Sequence, residues 1–192
     1  MAQTSLSAEP HEQPASPLLF GTILFLASDL LLFGGLFAAY FGLRSETNPW
    51  PPAGVHLETG LAAAATVLLV VSSFTFHAAL VAGGRGRLGA MRNWIVLTFC
   101  LGAGFMALQV TDYLRLDFRI SSHAYGTLYW TMTGMHGLHV VAGLILMLVL
   151  LGRMAQGAYR DGEIAGAYAI SYYWHFVDVV WVALFATLFI LK

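Results

Sequence analysis

Charge is scarce in this sequence. Only 10% of its 192 residues are Asp, Glu, Lys or Arg, against about a quarter in a typical soluble domain. The formal net charge is −1, with no long basic run and no acidic tail, so nothing here points to nucleic acid. Cysteine is almost absent too. Cys100 stands alone, which rules out an internal disulfide and any Cys-Cys-His copper centre. Residues 1–16 contain neither Lys nor Arg, so the positive region that opens a secretory signal is missing, and no lipidation signal is found. No Gly-rich phosphate loop follows a strand and no nucleophile elbow occurs, so the hydrolase and transferase patterns are not met.

What the sequence has in abundance is apolar length. Hydrophobic residues make up 58%, and the mean hydropathy is +0.73. Five apolar stretches, at about 18–42, 59–82, 93–114, 127–151 and 172–191, each approach the roughly 20 residues that cross a bilayer. The expected fold is an all-α integral membrane protein, a five-transmembrane-helix bundle over 18–192, preceded by a polar N-terminal tail, 1–17, broken by Pro10, Pro14 and Pro17. The first connection holds Asn48-Pro49-Trp50-Pro51-Pro52, non-helical because proline lacks a donor and restricts the residue before it. The second and fourth connections share one side and carry Arg85, Arg87, Arg92, Arg153 and Arg160. The opposite side has Arg44, Arg115, Arg119 and Lys192. This asymmetry favours the N-terminus inside and the C-terminus outside. Trp94, Trp130 and Trp174 fall near the expected helix ends, and Tyr172-Tyr173-Trp174 reads as an interfacial girdle. Gly34/Ala38 and Gly35/Ala39 are spaced to admit a neighbouring helix closely.

Polar residues inside these stretches need a reason, because hydrocarbon disfavours them. Asp29 falls near the bilayer centre and reads either as a proton-responsive group or as a protonated carboxyl tied to another helix. His136 and His139, three apart, share a helix face; His175 and Asp178 do the same, with Asp178 placed to orient a neighbour such as His175. His77 lies near the inner end of the second helix. Four such histidines allow a bis-histidine haem or a set of interhelical hydrogen bonds, and the second is the reading favoured by the habits of polar groups in membranes. Gln109, Asp112 and Tyr113 make one polar face near the outer end of the third helix, directed at protein or at a headgroup, and an interfacial anchor is the favoured reading of it. A proton-coupled transporter built on Asp29 remains a further reading, weakened by the absence of an internal repeat.

Five motifs then occur in order: Leu26-Ala27-Ser28-Asp29 leading to Phe33-Gly34-Gly35-Leu36-Phe37; Trp50-Pro51-Pro52; Gln109-Val110-Thr111-Asp112-Tyr113; Gly134-Met135-His136-Gly137-Leu138-His139-Val140; and Tyr173-Trp174-His175-Phe176-Val177-Asp178-Val179-Val180-Trp181. Together they resemble subunit III of the haem–copper cytochrome c oxidases, in its short five-helix bacterial form, over nearly everything from Pro17 onward. Many members carry Glu where Asp29 stands. The resemblance implies a non-catalytic subunit with no catalytic, cofactor or metal residue of its own. Haem and copper would sit in partner subunits of a complex that reduces dioxygen to water and pumps protons. It implies direct contact with subunit I, association with subunit II, phospholipids in a cleft between helix groups, support of proton uptake, and residence in a bacterial cell membrane. Cytochrome c or quinol would donate electrons to the complex. A quinol oxidase subunit or a nitric oxide reductase accessory subunit carries the same motifs.

Overall fold

The computed structural model describes residues 17–157, 159 and 164–191. The tail 1–16, Arg160, Asp161, Glu163 and Lys192 lie outside the described residues. Five helices follow one another: α1 (Pro17–Glu46), α2 (Thr59–Gly84), α3 (Leu88–Arg115), α4 (Ala124–Ala155) and α5 (Ala165–Phe185), the last continuing into a π-helical segment, Ala186–Ile190. All five are long and apolar enough to cross a membrane. A bilayer admits them because a helix satisfies its own backbone groups. The chain alternates between two ends of the bundle. The first end holds the start of α1 and the α2–α3 and α4–α5 connections; the second holds the α1–α2 and α3–α4 connections and the end of the chain.

α5 is the central helix and packs against α1, α2 and α4. It begins at Ala165, not near 172. The Ala- and Gly-containing lead-in, Ala165 to Ala169, is less apolar than a core window, yet alanine favours helix wherever packing allows it. The earlier start places Trp174 about 13 Å inside the helix at 1.5 Å per residue. Trp174 is therefore fully buried, not an interfacial anchor. Its indole N–H donates to Ser72 Oγ of α2 at 2.9 Å. Its ring lies against Gly102 of α3 and Gly143 of α4, where an added Cβ would come within 2.7 Å and 2.6 Å of ring carbons. Tyr173 is buried as well, and only Tyr172 of that trio is exposed.

The second end closes on aromatics. Trp50, from the proline-rich connection, sits edge-on to Tyr40 of α1 and Tyr125 of α4, with ring centroids 5.4 Å and 5.2 Å away. The last carbonyls of a helix lack intrahelical donors. Here Tyr40 donates to the Thr187 carbonyl and Tyr125 to that of Leu188, fastening the π segment to α1 and α4. At the small residues of α1, a Cβ added at Gly34 or Gly35 would meet nothing within 4 Å, so none of the described helices packs there.

Gly143→Ala drives a methyl into the Trp174 ring. Overpacking of this kind costs about 1–3 kcal/mol. We expect the detergent-solubilised protein to melt at a lower temperature, with partial recovery in Gly143→Ala/Trp174→Phe. Unchanged melting of the single variant would show that the slot is not close-packed.

Candidate functional site

Several of the buried polar side chains lie along α4 and at its contacts with α1, α3 and α5. Asp29 and His139 stand near the midpoints of α1 and α4, with Oδ2 and Nε2 3.4 Å apart. His139 Nδ1 lies 2.8 Å from the Met135 carbonyl. A carbonyl only accepts, so Nδ1 carries a proton. Nε2 is thus the ring nitrogen turned toward Asp29, whose Oδ2 is buried and has no hydrogen-bond partner among the described residues. The ring of Phe33 packs edge-on to His139 at 5.3 Å, and the Tyr173 hydroxyl donates to the His139 carbonyl at 2.9 Å. The pair is thus built from α1, α4 and α5.

One turn along α4, His136 is fully buried between Phe105 and Trp181. Its Nε2 reaches the Val177 carbonyl of α5 at 3.2 Å. Further along, Thr133 accepts from Tyr113 at 2.8 Å, and Tyr129 donates to Asp112 Oδ2 at 2.6 Å. Gln109 and Asp112 are buried. The polar face of α3 therefore points into the bundle against α4, which corrects the expectation of an interfacial anchor. A phenol on the facing helix decides the matter, since a buried carboxylate without a donor is costly.

His175 and Asp178 do not meet directly. Ser73 of α2 stands between them: its hydroxyl donates to Asp178 Oδ2 and lies 2.9 Å from His175 Nδ1. His77 is exposed on α2, one turn from Ser73. Among the described residues, no three His, Cys, Asp or Glu side chains gather as a metal-holding group. Sequence reasoning missed Ser73, Tyr129, Thr133 and Tyr173. The available signal was a hydroxyl inside each apolar run, but only the packing selects which hydroxyls face a partner.

A groove of about 810 Å3 runs between α1, α4 and α5 at the first end. Leu18, Phe25, Ile145, Val149 and Ile170 wall it, with Arg153 and Tyr159 at its rim. The Arg153 guanidinium lies 5.9 Å from the centre of the Tyr159 ring. Phe25 and Tyr173 line the deeper part and bring the groove up to the Asp29–His139 pair.

These features define a multi-pass helical membrane protein whose buried polar groups pair with one another across helices. Residues 4–192 match the family model described as cytochrome c oxidase subunit III. The chain is 42% identical to a probable cytochrome c oxidase subunit 3 of Nocardia farcinica, over 90% of this chain and 87% of that one. It is 40% identical to the cytochrome c oxidase subunit 3 of Thermostichus vulcanus, over 94% and 90%, and 36% identical to that of Synechocystis, over 98% and 82%. The chain belongs to the cytochrome c oxidase subunit III family.

Tyr129→Phe removes the one hydrogen bond that Asp112 accepts from a side chain among the described residues. Leaving a buried acceptor unpaired costs about 1–3 kcal/mol. The variant should unfold at a lower temperature in detergent while retaining its helical circular dichroism. An unchanged transition would mean that Asp112 finds another donor.

Proposed function

We propose that this chain is the haem-free and copper-free third subunit of an aerobic terminal oxidase, and that electrons pass through the haem and copper of its partner subunits. The observation that supports this reading is the match of residues 4–192 to the cytochrome c oxidase subunit III family model. His136, His139 and His175 each have a ring nitrogen engaged within the chain, by the Val177 carbonyl, the Met135 carbonyl and the Ser73 hydroxyl, which suits a role as ties within the bundle. The names of the relatives from Nocardia farcinica and Thermostichus vulcanus favour cytochrome c over quinol as donor to the complex. Contact with the catalytic subunit I and association with subunit II follow from the family reading. The domain reading is one five-helix membrane unit preceded by a polar tail.

Within that role the apolar groove at the first end suits phospholipid. Its walls match acyl chains, and Arg153 at the rim suits a phosphate, since a guanidinium binds phosphate in a fork. The orientation that fits is the first end inside, because Arg85, Arg87, Arg92 and Arg153 lie there. Asp29 and His139, facing each other beside this groove, are the pair placed at mid-membrane to support proton uptake by the catalytic subunit. The remaining buried polar groups, Gln109, Asp112, His136, His175 and Asp178, tie helices together, and His77 has no such role.

Asp29→Asn keeps the shape but cannot titrate. In the purified oxidase the variant should assemble normally and keep most of its initial oxygen-consumption rate. It should lose activity faster over repeated turnovers, or show slower proton uptake at alkaline pH. Immediate loss of nearly all activity at neutral pH would make Asp29 an obligatory proton donor and overturn the supporting role.

A further inference from the structure

The face of α5 that turns Trp174 inward turns Asp178 and His175 sideways, into a furrow between α2 and α5. The furrow measures about 480 Å3 and is lined by Ser73, Phe74, His175, Asp178, Val179 and Val182 among others. Phe74 and Val179 are 71% and 68% exposed, so the furrow opens outward from the bundle.

The hydrogen-bond count at its floor is incomplete. Ser73 has one proton and donates it to Asp178 Oδ2. Its oxygen is then left to accept from His175 Nδ1, which makes Nε2 of a neutral His175 an acceptor as well. Asp178 Oδ1 is buried and has no hydrogen-bond partner. The unfilled positions therefore ask for a hydrogen-bonding partner. Asp178 lies about 20 Å along α5 from Ala165, at the depth of lipid tails and not of headgroups. Hydrocarbon offers no donor there. The uncovered small-residue stripe of α1 makes no comparable demand.

We propose that the α2/α5 furrow seats a transmembrane helix of another oxidase subunit. That helix presents a hydroxyl, amide or cationic side chain to Asp178 Oδ1 and covers Phe74 and Val179 with its apolar face. The proposal rests on the reading that the chain works inside the oxidase complex.

A photo-crosslinking residue, p-benzoylphenylalanine, is placed at Val179, and separately at Val182, in the intact oxidase in its native membrane. The expected product is an adduct between this chain and a transmembrane peptide of a different oxidase subunit, identified by mass spectrometry, from at least one position. The same residue at Leu31 on α1 serves as a control for a different face. In parallel, Asp178→Leu should lower retention of the chain with the oxidase in mild detergent by about three- to tenfold, the range of one interhelical hydrogen bond, while its level in the membrane is unchanged. Adducts only with lipid, or only with a second copy of this chain, or from neither position, would overturn the docking face, as would full retention of Asp178→Leu. Wild-type chain absent from the purified oxidase would instead defeat the functional reading on which the proposal rests.

Discussion

The indole of Trp174 occupies the place where α2, α3, α4 and α5 meet, and the rest of the bundle is arranged around it. Between helices in lipid there is little hydrophobic driving force, because the tails are as apolar as leucine; close packing and interhelical hydrogen bonds hold such bundles together. Trp174 supplies both. Its ring fits where Gly102 and Gly143 leave room for it, and its N–H has a partner in Ser72. Fixing Trp174 fixes the rotation of α5. That rotation carries Tyr173 to α4 and Asp178 to α2, presents the Val177 carbonyl to His136, and aims the Trp181 N–H at Thr66.

A bilayer interior supplies no water to complete a missing bond, so each buried polar group must be accounted for inside the protein or at an interface. The clusters meet this demand in different ways. Tyr129 donates to Asp112 Oδ2, Asp29 and His139 face each other across α1 and α4, and Ser73 joins His175 to Asp178. Asp112 and Asp178 each keep one buried carboxylate oxygen without a hydrogen-bond partner among the described residues. What sets Asp178 apart is its place at a furrow that opens outward, where a neighbour can meet the unfilled oxygen.

Hydropathy made the number and order of the helices legible, because length of apolar run is a one-dimensional property. Rotation is not. Trp174 beside Tyr172 and Tyr173 had the composition of an interfacial belt, and the apolar window hid the helical lead-in from Ala165 to Ala169. Gln109, Asp112 and Tyr113 were visibly one face, but which way the face pointed depended on the phenol of Tyr129 in another helix. The i, i+3 spacing of His175 and Asp178 correctly put them on one side of α5 and suggested direct contact; the mediator, Ser73, lies 102 residues from His175 in the chain. The motifs were more telling than the spacings, since they brought the family into view where helix periodicity alone ended at a membrane bundle with buried His and Asp.

The central claim is that this chain serves the oxidase without holding a redox centre. The direct measurement is metal and haem content per catalytic subunit, with the optical spectrum, for oxidase purified with and without this chain. The account predicts that copper, haem and the spectrum stay the same when the chain is removed, and that the depleted enzyme begins at a comparable rate but fails sooner. Loss of a full equivalent of haem or copper with the chain would contradict it.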